Sequence, residues 1–211
     1  AALTRPRDIL LVCDAAQTPG MLDVNVQDLG VDALASSSHK WLLAPKGTGI
    51  LYVRKQVQDR IHPLSTMYGY NAYSASGGTR NVAGILGHGA ALDFHNAIGK
   101  PRIEARCRQL SRRVREHLRQ IPRLTLLTPD QQELSSGIVS FSVDGMKNSD
   151  IHKKLWDEHG IAAKVAQGTY AFTEVQSQLG ENYNVLRFST HIYNDESQVD
   201  RLAEALQGIL A

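Results

Sequence analysis

The chain has 211 residues, of which 42% are hydrophobic and 21% are charged. This composition is typical of globular proteins and excludes collagenous, coiled-coil and largely disordered chains. With 23 basic and 21 acidic side chains, the formal net charge of +2 is too small to recruit nucleic acid or an anionic membrane by itself. At roughly 150 residues per domain, the length predicts one domain or one and a half.

The two cysteines, Cys13 and Cys107, are far apart and lie in no C-x-x-C motif, so we predict neither a disulfide framework nor a zinc site. A reducing compartment, the cytoplasm, is therefore expected. The longest apolar run, 9–13, is far shorter than the ~20 residues of a transmembrane helix. Charged residues within the first eight positions argue against a signal peptide. Because a strand pattern begins so early, we expect that a preceding part of the protein is missing, and an export signal there stays an open alternative.

Three short apolar runs in the first part of the chain predict neighbouring strands, at 9–13, 33–36 and 49–53. The first run is continuous and predicts a strand buried on both faces of a parallel sheet. Helical periodicity follows over 81–97 and 102–120. In the second of these helices, apolar residues recur every three or four positions and predict one buried stripe: Ile103, Cys107, Leu110, Val114, Leu118 and Ile121.

Beyond Pro122 the pattern changes to short strands and two further helices. Residues 137–143 alternate, which predicts a half-buried strand. Asn148 or Ser149 is expected to cap the next helix. The predicted strands are 124–127, 137–143, 161–165 and 185–189, and the predicted helices are 148–159 and 196–210.

This change of pattern predicts three parts. Residues 1–100 form an α/β unit with parallel strands, residues 101–122 form a linking helix, and residues 123–211 form a smaller α+β domain.

A lysine follows the second predicted strand in an unusual setting. Lys40 comes after the polar run 36–39 and before a Gly-rich turn at 44–49. Open α/β sheets bind their ligands at the carboxyl ends of parallel strands, so this lysine is a candidate functional group. The alternative is that the polar residues merely end the strand and that Lys40 is solvated.

An acidic residue marks the same edge of the predicted sheet. Asp14 ends the first predicted strand, and the segment between Asp14 and Lys40 is long enough for a right-handed crossover. Both charges would then face one crevice. They could form a structural ion pair. Pyridoxal phosphate, however, requires such a pair of groups, an imine-forming lysine and a carboxylate that keeps the pyridine nitrogen protonated.

At this point the chain resembles the class V aminotransferases, the pyridoxal-phosphate family that includes cysteine desulfurases, isopenicillin-N-epimerase-like proteins and C–S lyases. The resemblance implies the C-terminal part of the large domain of a type I pyridoxal-phosphate-dependent transferase, with a mostly parallel sheet, followed by a small α+β C-terminal domain. The matching stretches are 13–17, 37–40, 45–49, 77–81, 187–189 and 193–194.

Carried over by residue, the resemblance implies that Lys40 forms the Schiff base with pyridoxal 5'-phosphate and that Asp14 pairs with the pyridine nitrogen. Gln17 would lie near the phenolic oxygen of the ring. Ser37 and His39 would hold the phosphate.

Two further roles are implied by the resemblance. Thr79 would hold the phosphate of a neighbouring subunit, which implies a homodimer; a helix N-terminus is a natural anion site, although Thr79 could simply cap a helix. Arg187 would bind the substrate carboxylate through its guanidinium fork; alternatively it is a surface ion-pair residue.

The chain departs from the family pattern in two ways. Members of the family are about twice as long, so this chain corresponds to the C-terminal half, and a missing N-terminal half is an expected partner. The run 166–171, where cysteine desulfurases carry a nucleophilic cysteine, has none, and Thr169 stands at about that place. Because Cys13 and Cys107 lie on predicted buried positions, persulfide chemistry is disfavoured.

Other motifs predict less. The glycines at 84–89 do not form the dinucleotide fingerprint, and Ser38, His39 and Asp14 lack the G-x-S-x-G elbow of a hydrolase. Histidines seven residues apart on a helix do not predict a metal site. The arginines at 102–123 have Glu104 and Glu116 among them and no interleaved aromatic residues, which is typical of a solvated helix face and not of a nucleic-acid interface.

Taken together, we expect a pyridoxal-phosphate-dependent enzyme that acts on the α-amino group of a small-molecule amino acid, of the aminotransferase or C–S lyase type. The alternatives are an epimerase, a cysteine-desulfurase-like enzyme, or a non-catalytic binding or assembly fragment. No nucleic-acid, membrane or metal partner is predicted.

Overall fold

The computed structural model describes residues 1–62, 81–167 and 184–211. The chain divides into two compact units, Ala1–Ile103 and Glu104–Ala211. Within the described ranges, no helix combines the length and the hydrophobicity needed to span a bilayer.

The first unit contains a three-stranded sheet in the order β1-β2-β3. Each apolar run contributes to one of these neighbouring strands, although only residues 12–13 of the run 9–13 lie in its strand. The elements of this unit are β1 (Val12–Asp14), α1 (Val26–Leu29), β2 (Ala33–Ser37), β3 (Gly49–Val53), α2 (Val82–Ile98) and the beginning of α3 (Lys100–Leu118).

The strands of this sheet do not all run in the same direction. β1 is parallel to β2, with Val12 opposite Ala33, whereas β3 is antiparallel to β2, with Val53 opposite Ala33. The expectation of parallel strands, and of a mostly parallel sheet, is therefore wrong for β3. A parallel pair needs a long crossover, usually a helix. The β1–β2 connection contains α1, but the β2–β3 connection at 38–48 contains only turns.

The two faces of the sheet differ in burial. On one face, Cys13, Leu34 and Tyr52 lie opposite one another and pack into a small hydrophobic core. On the other face, Val12 is 63% exposed and Leu51 is 68% exposed. The expectation that the first strand is buried on both faces is therefore wrong for the described part of the chain, which covers only one face at these positions.

Helix α2 begins one residue after its predicted start at residue 81, and Asn81 caps it. The side-chain oxygen of Asn81 accepts a hydrogen bond from the backbone N–H of Gly84, as an N-cap residue does. Gly99, at φ 94°, separates α2 from α3. The predicted apolar stripe of α3 and the following turn is confirmed, because all six of its residues are buried: Ile103, Cys107, Leu110, Val114, Leu118 and Ile121.

The second unit contains a four-stranded sheet in the order β4-β5-β7-β6, with every neighbouring pair antiparallel. Its elements, after α3, are β4 (Leu124–Leu126), β5 (Ile138–Val143), α4 (Asn148–His159), β6 (Lys164–Gln167), β7 (Asn184–Ser189) and α5 (Glu196–Leu210).

One hydrophobic core holds the second unit together. The predicted alternation of β5 is confirmed, since Val139, Phe141 and Val143 are buried and the residues between them are only partly buried. Phe141 stacks on Phe188 of β7 with ring centroids 5.6 Å apart. Apolar residues of α3, α4 and α5 complete this core: Leu110, Val114, Leu118, Ile151, Leu155, Val199, Leu202, Leu206 and Ile209.

The N-terminal ends of helices α4 and α5 are capped differently. Asp195 caps α5 in a capping box with Gln198, which satisfies two backbone donors reciprocally. α4 starts at Asn148, as predicted, but the residue at its N-cap position is Lys147, whose side chain makes no capping hydrogen bond. The expectation that Asn148 or Ser149 caps α4 is therefore wrong, because both residues lie inside the helix.

Candidate functional site

Asp14 stands at the carboxyl end of β1, where the chain turns away from the sheet. Its carboxylate Oδ1 accepts a hydrogen bond of 3.0 Å from the backbone N–H of Ala16, a local turn that short acidic side chains favour. The side chain of Asp14 is otherwise exposed. A carboxylate oriented in this way has an oxygen left to meet a ligand.

A cavity of about 560 Å³ opens on this edge of the first unit. Both Asp14 and Ser37 line it, so the structure brings these two predicted site residues together. The other lining residues come from the ends of the three strands and the adjoining turns: Ala16, Ala35, Ser36, Thr48, Gly49, Ile50 and Leu51.

The sheet register explains why Asp14 and Ser37 share this cavity. Asp14 lies opposite Ala35, and residues two apart on a strand point to the same face. Gly49 lies opposite Ser37, and a Cβ added to Gly49 would come within 2.9 Å of the backbone oxygen of Ser36. A glycine at the start of β3 therefore permits the close approach of the two strands and leaves the cavity open beside Ser37.

The turn after β2 carries His39 and Lys40. Its base is closed by a hydrogen bond from the N–H of Ser38 to the oxygen of Thr48, at 3.1 Å, and by one from Ala44 to Ser38, at 3.0 Å. His39 is exposed and Lys40 is half-buried.

Ordered neighbours surround Lys40. Ser38, Trp41 and Leu42 are 1%, 5% and 4% exposed, so buried residues fix the backbone on both sides of the lysine. Three of the predicted site residues are described but do not line the cavity: Gln17, His39 and Lys40.

Gln17 is joined to the turn that carries Lys40. The indole Nε1 of Trp41 donates a hydrogen bond of 2.9 Å to Oε1 of Gln17. The backbones of the two segments also touch, because a Cβ on Gly20 would lie 2.4 Å from the carbonyl carbon of Trp41. The loop after β1 and the turn after β2 therefore pack directly against each other, and Gln17 is hydrogen-bonded to the residue that follows Lys40.

Arg187 lies on β7 in the second unit, opposite Ser140 of β5 and Lys164 of β6. Its Nε is buried and makes no hydrogen bond with the described residues. A buried donor without a partner is costly, and a second cation directly across the strand pair adds repulsion. The two side chains therefore place positive charge on neighbouring strands of this sheet.

Two predicted positions lie outside the described residues. Thr79, expected to hold a phosphate, and Thr169, expected at the position of a catalytic cysteine, fall within 63–80 and 168–183.

The structure describes both cysteines, and neither thiol suits nucleophilic chemistry. Cys107 is fully buried, and its burial raises the pKa of the thiol to about 11. A thiol with so high a pKa holds almost no reactive thiolate near neutrality. Cys13 is only half-buried, on the strand face that packs into the core.

Sequence reasoning missed two features of the site. It gave no role to Trp41, which follows Lys40 and donates a hydrogen bond to Gln17. The sequence does carry a signal for this hydrogen bond, because an indole N–H can only donate and a buried tryptophan usually finds an acceptor. It also gave no role to Thr48, which lines the cavity. Among the described residues, no cluster of three or more metal-ligating side chains occurs.

Comparison with known proteins identifies relatives of the whole chain. The family model described as "Aminotransferase class-V" matches residues 1–202. The isopenicillin N epimerase of Streptomyces clavuligerus is 32% identical over 97% of this chain and 54% of its own length. A probable cysteine desulfurase of Methanothermobacter thermautotrophicus is 30% identical over 95% of this chain and 53% of its own length.

Solved structures show the same fold. The apo structure of a cysteine desulfurase from Thermococcus onnurineus superposes with a TM-score of 0.85 at 29% identity, over 98% of this chain and 54% of the other. An Escherichia coli cysteine desulfurase superposes with a TM-score of 0.80 at 26% identity, over 100% and 54% of the two chains. The chain therefore spans about half the length of the relatives it matches.

Proposed function

Since the chain belongs to the class V aminotransferase family, whose cofactor is pyridoxal phosphate, we propose that it binds this cofactor and acts on the α-amino group of an amino acid. The observation that carries the proposal is the cavity that Asp14 and Ser37 line together, beside the ordered turn that carries Lys40.

The residues at the carboxyl end of the sheet fit the chemistry of pyridoxal phosphate. The ring nitrogen needs an anionic acceptor if it is to stay protonated, and Asp14 offers one. The phosphate needs hydroxyl and N–H donors, which Ser37 and His39 offer. The aldehyde needs a primary amine, which Lys40 offers, and the phenolic oxygen needs a donor such as the amide N–H₂ of Gln17. When bound, the cofactor supplies an electron sink for the carbanion formed at the substrate Cα.

Lys40 has two tasks in this proposal. Its amine would hold the cofactor covalently, and the same amine, once free, would accept the proton of the substrate Cα as a general base. The buried residues on both sides of Lys40, Ser38 and Trp41, restrict its backbone and so fix the point from which its side chain extends. Asp14 acts through the ring by keeping its nitrogen protonated.

Arg187 is proposed to bind the carboxylate of the substrate. Its unpartnered, buried Nε and the cation of Lys164 opposite it both favour an anion there. A guanidinium also presents two parallel N–H groups to a carboxylate, which an ammonium cannot do.

The same proposal covers the domains of the chain and the partners it binds. We assign residues 1–100 to the cofactor-binding domain, 101–122 to a linking helix and 123–211 to a small C-terminal domain. The full enzyme is a cytoplasmic homodimer in which Thr79 holds the phosphate of the neighbouring subunit, and it includes an N-terminal half with further cofactor contacts.

The reaction class is proposed from the residues that are present. Cys107 is buried with a raised pKa, and the run after β6 has no cysteine, which disfavours desulfuration. Amino transfer or β-elimination is therefore ranked first. Epimerisation is the second candidate, because the Streptomyces clavuligerus isopenicillin N epimerase is 32% identical over 97% of the chain.

The proposal is tested by adding pyridoxal phosphate to the purified chain and recording the visible spectrum, before and after a panel of amino acids is added. We expect a band from the lysine-bound cofactor that Lys40→Ala lacks and that a substrate amine changes. Product analysis then separates the reactions, since transfer yields a keto acid, elimination also releases ammonia, and epimerisation yields the other stereoisomer. A chain without this band contradicts the proposal and favours the binding or assembly role.

A further inference from the structure

Gln17 and Trp41 form a hydrogen bond with only one possible polarity. An indole N–H donates and cannot accept, whereas a glutamine amide has one accepting oxygen and one donating N–H₂ group. The bond of 2.9 Å from Nε1 of Trp41 must therefore end on the amide oxygen. The other end of the Gln17 amide is left as a donor that faces away from the indole.

Trp41 is well placed to impose this orientation. It is 5% exposed, so its ring is held by packing. The backbone contact between Gly20 and Trp41 fixes the loop of Gln17 against the turn of Trp41. Gln17 is itself only half-buried, and without the indole its amide could rotate by half a turn at little cost.

We propose that Trp41 is a positioning residue that aims the N–H₂ group of Gln17 at the phenolic oxygen of the cofactor. This inference depends on the proposed function, because it takes Gln17 as the neighbour of that oxygen. If the amide were reversed, its oxygen would face an electron-rich oxygen, which is repulsive. Trp41 thus makes the donor orientation the stable one before the cofactor arrives, which lowers the cost of binding.

A lost donor at the phenolic oxygen has a defined electrostatic consequence. The hydrogen bond withdraws electron density from the oxygen and so lowers the proton affinity of the bound cofactor. Without this bond the proton is held more tightly. The pH midpoint of the absorption of the bound cofactor should then move upward by roughly 0.5–1 pH unit, the size expected when one ordinary hydrogen bond is lost.

The decisive variant is Trp41→Phe, which keeps an aromatic ring but removes the N–H. With the full chain loaded with pyridoxal phosphate, we expect the full upward shift in Gln17→Ala, which removes the donor, and an upward shift of at most that size in Trp41→Phe, which only frees the amide to rotate. The double variant should show no further shift, because Trp41 acts through Gln17. Trp156→Phe is the matched control, since Trp156 is 59% exposed, and it should leave the midpoint unchanged.

A second measurement needs no cofactor. The chain has two tryptophans, so its proton NMR spectrum contains two indole N–H resonances, and Trp156→Phe identifies that of Trp41. Gln17→Ala should move this resonance, because it removes the acceptor.

The outcomes separate the two proposals. A wild-type chain that binds the cofactor, with an unshifted midpoint in folded Trp41→Phe, overturns the positioning role and leaves the proposed function standing. If the shifts of the two single variants add up in the double variant, the positioning role is also overturned. An indole resonance that ignores Gln17→Ala contradicts the hydrogen bond itself. A wild-type chain that binds no pyridoxal phosphate overturns the proposed function and the positioning role together.

Discussion

Asp14 and Ser37 lie on the same face of the first sheet, because Asp14 is opposite Ala35 in the parallel pair of β1 and β2. Both residues end their strands at the same edge and line one cavity. A carboxylate and a hydroxyl thereby lie on the wall of the same cavity. This relationship between two strand ends, more than the position of any single residue, supports the proposed cofactor site.

Replacing the carboxylate should separate binding from catalysis. Asp14→Asn keeps the size of the side chain but removes the charge that holds a proton on the cofactor ring. We expect the variant to retain pyridoxal phosphate and to lose activity by roughly 10- to 100-fold, the value of one hydrogen bond to a charged group. The turnover rate of the cofactor-loaded chain is the measurement. Asp93→Asn, an exposed change on α2, is the control, and equal activities of the two variants would argue against a role for Asp14.

The close approach of β2 and β3 depends on Gly49. Gly49→Ala places a Cβ within 2.9 Å of a backbone oxygen, so the strands must separate, and we expect a loss of about 1–3 kcal/mol in the free energy of unfolding. Gly89→Ala is a matched control that should raise the free energy of unfolding. Its Cβ meets no atom within 4 Å, and alanine is preferred over glycine inside a helix by about 1 kcal/mol. Urea denaturation of both variants is the measurement, and stabilisation by Gly49→Ala would contradict the crowding.

The core of the second unit centres on Phe141, which is fully buried and stacks on Phe188. Phe141→Ala should lower the free energy of unfolding by about 3–5 kcal/mol, because it removes buried apolar surface and leaves a cavity. Leu134→Ala, at a residue that is 67% exposed, should change it by less than about 0.5 kcal/mol. Both values come from urea denaturation of the full chain. Similar values for the two variants would contradict the assignment of Phe141 to the core.

Ion pairs between α3 and α5 predict how stability responds to acid. The hydrogen bond from Arg106 lowers the pKa of Glu196 from 4.5 to about 2. The hydrogen bond from Arg113, together with His117, lowers the pKa of Asp200 from 3.8 to about 2. These carboxyls bind protons more weakly in the folded than in the unfolded state. The stability they contribute is therefore complete above pH 4.5 and is lost as the pH falls towards 2.

Urea midpoints measured at several pH values between 6 and about 2.5 test this dependence. The midpoint should fall with pH in the wild-type chain, and less steeply in Glu196→Gln, which cannot ionise. Glu204→Gln, an exposed change on the same helix, should follow the wild-type profile. Since the pairs are partly exposed to solvent, high salt should flatten the dependence as well. Parallel profiles for wild type and Glu196→Gln would contradict a role for the Arg106 pair.

Much of the secondary structure could be predicted because apolar periodicity records burial. The pattern predicted β3 and α5 with the bounds that the structure has, and it predicted the buried stripe of α3. Strand direction is not contained in such a pattern, and β3 was therefore expected to be parallel. The direction depends on whether the connection holds a crossover helix, and the β2–β3 turn at 38–48 has none.

The candidate site was predictable only where a chemical motif marked it. Asp14 and Lys40 were found because each follows an apolar run, and the sheet register then brought Asp14 to Ser37. The contact between Gln17 and Trp41 was not predicted, because it joins two loops that approach each other only in the folded chain. The exposure of Val12 was also not predicted, since an apolar run does not reveal what lies against its second face.

The most direct test of the proposed cofactor site is to identify the residue that holds pyridoxal phosphate. The chain is mixed with the cofactor and reduced with borohydride, which converts an imine with lysine into a stable secondary amine, and the peptides are analysed by mass spectrometry. We expect the cofactor mass on the peptide that contains Lys40, and its absence in Lys40→Arg. No labelled peptide, or a label spread over exposed lysines such as Lys46 with Lys40 unmodified, would contradict a cofactor site built on Lys40 and Asp14.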